Sequence, residues 1–415
     1  MNKTSNRDPD GLRRRRAYCF AAGITLLAFA AATSFAQSIA LSGDARQNAI
    51  ALEQQGSNAD AEAAWRLYLK SHPSSSEAYA HLGLLEARQE HYQEAVPLYR
   101  KAVALGSTLP GLRMNLGLAL FKGGEPRQAL AEFTPLLKRA RAGSPERQRL
   151  TILAGMCHYG LGEYTQAVPF LKEAAAGDRQ NLALLMALAH SCLWTKQFQC
   201  VLDTDREILT VNPESAEADM LAGEALDEMK DSKGAIEQFR AAAKADPRMP
   251  DVHFGLGYLL WVDSQYQDAL PEFQAELENN PGHAQALTYL ADSQMKLNTP
   301  EHAGPLLEKA VQIDPRIELA HLDLATVDDG AGRKDDALKE LLAAERLAPN
   351  DVDVHWRLGR LYRAMGKRDE ATAEMNKAKS ITQAADTALV NKMNSGSQPA
   401  QTPAPGPAKS PEPPK

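Results

Sequence analysis

Three histidines, His253, His321 and His355, are spaced by 34 residues or a multiple of it, and Cys157, Cys192 and Cys200 follow Cys19 of the N-terminal segment. Imidazole and thiolate are the usual ligands of zinc and the usual partners in nucleophilic catalysis, so these residues are tested for chemistry first. A structural zinc site is normally announced by paired ligands such as C-x-x-C, and none occurs here. Histidines that share one phase of a long period form a column, not a ligand cluster. A cysteine nucleophile needs a positioned histidine, and no spacing in the chain identifies one. Cys192 and Cys200 fall on what read as paired helices, where an oxidising compartment would allow a bridge; buried free thiols are the reading adopted for the three. We therefore expect no metal, no cofactor and no catalytic residue.

Composition agrees with that expectation. The chain has 415 residues, 44% hydrophobic and 24% charged, which is enough apolar material for a core and excludes a wholly disordered protein. Aromatics are 6% while alanine is abundant, a bias toward closely packed helices. With 46 Lys+Arg against 53 Asp+Glu the net charge is -7, so the global basic footprint of a nucleic-acid binder is missing.

The first 36 residues read as an export signal. Arg13 to Arg16 form a positive block, Ala17 to Ala36 carry no charge, and Ser34 and Ala36 give a small-x-small cleavage site before Gln37. An uncleaved anchor is the alternative, since about 20 apolar residues can just span a bilayer. Either way the arginines stay on the cytoplasmic side and the remainder is exported, periplasmic or secreted. Cleavage would take six positive and two negative charges from the -7 chain, leaving -11, which disfavours anionic lipid surfaces as well as nucleic acid. The membrane is then a partner only through an uncleaved N-terminal segment.

A period of 34 organises the middle of the chain. Pro213, Pro247, Pro281, Pro315 and Pro349 are each 34 residues after the last, the mark of a repeat array. With that proline as position 32, ten repeats start near 42, 76, 110, 148, 182, 216, 250, 284, 318 and 352 and cover 42–385, with a four-residue insertion at Ser144 to Arg147. Columns not used to set the register become uniform. Position 8 is Gly or Ala in all ten repeats, position 20 is Ala in nine with Val201 the exception, and position 24 is mostly bulky, as in Trp65, Tyr99, Phe133, Phe239 and Phe273. Small residues in both columns let two antiparallel helices approach closely around the bulky one. Pro97, Pro169, Pro271 and Pro305 share position 22, near the start of each second helix, where a proline costs little.

Leu82-Gly83, Ala95 and Tyr99, and Leu256-Gly257, Ala269, Phe273 and Pro281, resemble the tetratricopeptide repeat across about four fifths of the chain. The resemblance implies an all-α fold, a right-handed superhelical solenoid of about ten helix-turn-helix repeats, each burying its apolar face only against its neighbours. Departures are position 4, which is never Trp, Asp205 in the bulky column, and Glu276 in a column that is normally small.

In the resembled family the first helix of each repeat lines a concave groove through positions 2, 5, 9, 12 and 13. Here those columns place Met114, Leu118 and Phe121 in repeat three, Ile152, Met156 and Tyr159 in repeat four, and Met186, His190, Leu193 and Trp194 in repeat five. Met220, Glu224, Asp227 and Glu228 follow in repeat six, then Phe254, Tyr258 and Trp261 in repeat seven. Flexible thioethers and aromatics in a groove suit an adaptable peptide site, here broken by an acidic band. Met114, Ile152 and Met186 stand where the family's peptide-carboxylate clamp wants Asn, which disfavours that mode. Repeat ten carries a basic-aromatic stripe, Trp356, Arg360 and Arg363. Residues 386–394 extend as a polar capping helix, and 395–415, with its seven prolines, reads as an extended, unfolded tail. The function implied is a non-enzymatic scaffold for a protein or peptide partner. The alternative is an accessory subunit of a cell-envelope assembly for secretion, pili or polysaccharide export.

Overall fold

The computed structural model describes residues 45–396 and divides into two compact units, one ending at Leu161 and the other beginning at Gly162. Residues 1–44, which include the expected export signal 1–36, and residues 397–415 of the expected tail lie outside the described residues. The division falls between the two helices of repeat four, where the sequence reads as one uninterrupted array.

The first unit contains α1 (Ala45–Gln54), α2 (Asn58–Ser71), α3 (Ser76–Arg88), α4 (Tyr92–Ala104), α5 (Leu112–Lys122), α6 (Pro126–Arg139) and α7 (Pro145–Gly160). The second contains α8 (Tyr164–Gly177), α9 (Leu182–Trp194), α10 (Phe198–Val211), α11 (Ala216–Glu228), α12 (Ser232–Ala245) and α13 (Val252–Val262). It continues with α14 (Tyr266–Asn279), α15 (Ala284–Lys296), a 3-10 turn (Pro300–His302), α16 (Ala303–Ile313), α17 (Glu318–Gly330), α18 (Lys334–Leu347), α19 (Val352–Ala364) and α20 (Arg368–Gly396). Among the described residues there is no strand, and the fold within each unit is an all-α helical-repeat solenoid. Within each unit every α-helix packs on the next in sequence, and first helices of successive repeats also touch, α3 with α5 in the first unit and α9 with α11, α13 with α15 and α15 with α17 in the second.

The uniform columns explain the pairing. Every residue at position 20, from Ala61 to Ala371 and including Val201, is buried. At position 8, a Cβ added to Gly117 would lie 2.4 Å from the Phe133 ring, to Gly223 2.6 Å from Phe239, and to Gly257 2.8 Å from Phe273. The aromatic of position 24 therefore lies flat on a helix backbone, and only the smallest side chains let it do so.

The turn between the two helices of a repeat obeys a rule that composition hides. Position 15 has a positive φ in all ten repeats: Gly56, Gly124, Gly162, Gly332 and Gly366, but also Glu90, Lys196, Lys230, Ser264 and Asn298. Each ends the first helix in a left-handed cap, as when Gln197 N donates to Cys192 O at 2.8 Å and Lys196 N donates to Leu193 O at 2.9 Å. Position 34 starts the next helix: Asn181 Oδ1 accepts from Leu184 N, Asp351 Oδ1 from Val354 N, and His283 Nδ1 from Ala286 N.

The histidine column is a fastener. His321 Nδ1 meets Glu340 Oε2 at 2.7 Å and His355 Nδ1 meets Glu374 Oε2 at 2.7 Å, each carboxylate being 19 residues on in the second helix. The other ring nitrogens meet the carbonyls of Pro315 at 3.0 Å and Pro349 at 2.9 Å, the period-defining prolines of the preceding repeats. His253 makes the same carboxylate contact, with Glu272 Oε2 at 2.7 Å. One buried imidazole thus ties two helices and the preceding turn.

Three expectations are adjusted. The reading of Cys192 and Cys200 as free thiols is corrected, because they form a disulfide, with Cα atoms 5.9 Å apart across the α9–α10 hairpin. The hairpin sets the two positions face to face, which sequence spacing alone does not reveal. Cys157 is a buried free thiol, and burial pushes it up to about 12. Pro97, Pro169 and Pro271 stand at the sixth residue of α4, α8 and α14, inside the helices; in repeat eight the 3-10 turn delays α16 and leaves Pro305 in its first turn. Finally, α20 runs unbroken to Gly396, two residues into the segment expected to be tail.

Candidate partner-binding groove

In the second unit, the groove columns of three successive repeats converge on one cleft of about 560 Å³. His190, Leu193 and Trp194 come from α9, Met220, Glu224, Asp227 and Glu228 from α11, and Tyr258 from α13. These eight residues were each assigned to the groove by their position in the period. Lys196 and Phe198, from the turn and first residue of α10, complete the wall and were not anticipated, because they lie outside the first helices. Gly255 also contributes, and the ring of Phe239 beneath it would lie 2.4 Å from an added Cβ.

Exposure separates the predicted residues. Trp194 is 68% exposed although it stacks on Tyr164, with ring centroids 5.6 Å apart, and Tyr258 is 36% exposed. Both rings thus leave apolar surface open to solvent beside the cleft. Met186, Phe254 and Trp261 are half-buried and do not line the cleft. Phe254 packs with Tyr258, Phe273 and Tyr289, while Trp261 Nε1 donates to Asp292 Oδ2 at 2.6 Å, so its polar edge is committed to the next repeat. Tyr289, central to this ring cluster, sits at position 6 and escaped the column reading.

In the first unit, Met114, Leu118 and Phe121 are half-buried against the core around Leu116, Leu120 and Phe133. Met114 also edges a second cleft with Leu109, Arg113 and Glu146, of about 440 Å³. Ile152, Met156 and Tyr159 are half-buried on α7. In repeat ten, Arg360 lines a smaller recess with Arg357 and Asp353, whereas Arg363 turns to Met375 Sδ at 3.4 Å. Trp356 is 40% exposed.

The cleft is acidic on one side. Glu224, Asp227 and Glu228 face a single ammonium, that of Lys196, and His190 Nε2 is engaged by Glu217 at 2.9 Å. Glu224 is exposed at the cleft edge, and its partial desolvation there pushes the carboxyl above the ordinary range against the opposing pull of the His190 ring.

Two side-chain clusters have the composition of metal sites. Asp251, Glu276 and His283 bring ligand atoms within 4.8 Å of one another, as do Glu345, His355 and Glu374. Their hydrogen bonds assign them otherwise. His283 Nδ1 accepts from a backbone amide, so its ring proton is on Nε2, the atom aimed at Asp251 Oδ1 at 3.1 Å. His355 uses both nitrogens, and Lys377 Nζ supplies the cation, 2.8 Å from Glu374 and 3.1 Å from Glu345.

The tetratricopeptide repeat family matches residues 46–110, 114–181, 206–250, 220–282, 254–316 and 322–387. The chain belongs to the tetratricopeptide repeat family. This is a family of protein-interaction scaffolds, and the relatives vary in extent. A DnaJ homolog subfamily C member 7 homolog of Schizosaccharomyces pombe is 23% identical over 338 residues, 70% of each protein. Anaphase-promoting complex subunit 3 of the same yeast is 26% identical over 133 residues, 32% of this chain and 20% of that protein. BBSome complex member BBS4 of Bos taurus is 26% identical over 221 residues, 52% of this chain and 41% of its own length. The chain thus spans less than half of these last two. Among solved structures, YrrB, described as a TPR protein with an unusual peptide-binding site, is 22% identical and covers 46% of this chain and 97% of its own, at a TM-score of 0.38. Pseudomonas aeruginosa pilF is 17% identical over 46% of this chain and 88% of its own, at a TM-score of 0.42. No described helix is long and apolar enough to cross a membrane.

Proposed function

We propose that this tetratricopeptide repeat chain is a non-enzymatic, exported scaffold that holds a segment of a protein partner along its first-helix face. The observation that carries the reading is the convergence of eight groove-column residues from repeats five to seven on one cleft, with Trp194 largely in solvent. Rigid helices present these side chains at repeat spacing, so an extended or helical segment can engage several at once. Export rests on Arg13 to Arg16, the uncharged stretch Ala17 to Ala36, and the small residues before Gln37.

Crosslinking and pull-down from the native cell envelope, run in parallel with a Trp194→Ala/Tyr258→Ala variant, test the reading. Partner recovery should fall several-fold in the variant, and equal recovery would refute a groove-bound partner. Sequencing the purified protein from soluble extract should give Gln37 first. Recovery with membranes and an intact N-terminus would instead make it an anchored subunit of an envelope assembly.

A further inference from the structure

The cleft between α9, α11 and α13 has a chemistry more specific than an apolar groove. An exposed indole, Trp194, stands on one wall, and Glu224, Asp227 and Glu228 stand on the other, outnumbering Lys196 by three carboxylates to one ammonium. The three acids follow a 3.6-residue period along α11, so they share one face and converge on one side of the cleft. His190, the remaining polar group of the wall, is occupied by Glu217. Met220, Leu193 and Tyr258 form the apolar part of the lining.

We infer that this cleft receives a Lys or Arg side chain of the partner segment, flanked by a large apolar residue. This deepens the groove reading and rests on it. A cation held between carboxylates and the face of an indole gains charge-assisted hydrogen bonds and a cation–π contact together. The neighbouring apolar residue covers Met220 and Tyr258, and the carboxylates obtain the counter-charge they lack. A partner segment with an acidic residue at the same point would meet like charge and be rejected.

The probe is a random library of 12-residue peptides, displayed and selected on the full chain purified at low salt. Selected sequences should be enriched in Lys or Arg beside Leu, Phe or Met. One representative, fluorescently labelled, should bind at least tenfold more weakly to a Glu224→Gln/Asp227→Asn/Glu228→Gln variant with an unchanged helical circular dichroism spectrum. Its affinity for the parent protein should also fall several-fold between 50 and 500 mM salt, about as expected when exposed charges are screened. Selected peptides that lack cations, or that bind the triple variant as well as the parent, overturn the inference; if Trp194→Ala abolishes their binding, the groove reading stands without it. Peptides that bind Trp194→Ala unimpaired, or no selection at all, overturn both.

Discussion

At the residue scale, the least comfortable groups are buried carboxylates. Asp323 of α17 is 4% exposed, its Oδ2 has no partner, and it stands beside Asp292, which accepts from Trp261. Burial first, and the Asp292 charge second, push its carboxyl up to about 7, while Arg357 and Lys296 pull the other way. A raised folded value means that stability is full below the unfolded value and is lost as pH rises through about 7. Asp323→Asn keeps the shape and lets an amide donate to Asp292. One pKa unit is worth about 1.4 kcal/mol, so the variant should be more stable than the parent by on the order of 2 kcal/mol at pH 8. Urea titrations should show that advantage shrinking toward pH 4, and an advantage independent of pH would contradict the assignment. Asp205, noted in the sequence for occupying the bulky column, is a second case, pushed up to about 6 by burial and the Asp219 charge. Nothing in its type or spacing discloses whether Asp205 would be buried, because the period tells which column it fills and not what the neighbouring helices do around it. The Cys192–Cys200 bond was open in the sequence, which placed the two on paired helices without fixing whether they face one another.

At the scale of the element, each repeat is a hairpin whose geometry is set by two contacts. The first is the close approach of positions 8 and 24. Gly117→Ala would bring a methyl carbon to 2.4 Å from Phe133, and the ring is wholly buried with nowhere to retreat. Overpacking of this kind should cost about 1–3 kcal/mol, read as a lower denaturation midpoint with helix content retained. This column was legible, because glycine and alanine at fixed spacing opposite a bulky residue admit few other meanings. The second contact is the left-handed cap at position 15, which was not legible, since five of the ten residues there are not glycine. A non-glycine residue pays about 1 kcal/mol or more in that conformation. Glu90→Gly and Lys230→Gly should each therefore raise stability by about 1 kcal/mol, and Gly366→Ala should lower it by a similar amount. Open space around Gly366 makes the backbone the sole source of the effect. No change in the thermal midpoint of any of the three would contradict the cap assignment.

At the scale of the whole molecule, the chain is a repeat protein in which abundant alanine is a packing column and polar fasteners such as His321–Glu340 replace larger apolar contacts. The period places His190, Trp194, Glu224 and Tyr258 on first helices that line one cleft, whereas Lys196 and Phe198 enter it from the turn and second helix of repeat five, outside the columns. It also counted Trp261 as available, although its indole nitrogen is bonded to Asp292, a partner 31 residues away that no single repeat contains. The central claim is that repeats five to seven hold a partner segment against Trp194 and Tyr258. A photo-crosslinking phenylalanine analogue placed at Tyr258, with the exposed Gln274 of the second helix α14 as the control position, tests it in the native cell. A covalent partner adduct at 258 and none at 274 is the expected result; equal adducts at both positions, or none at 258 while a partner is still co-purified, would contradict it.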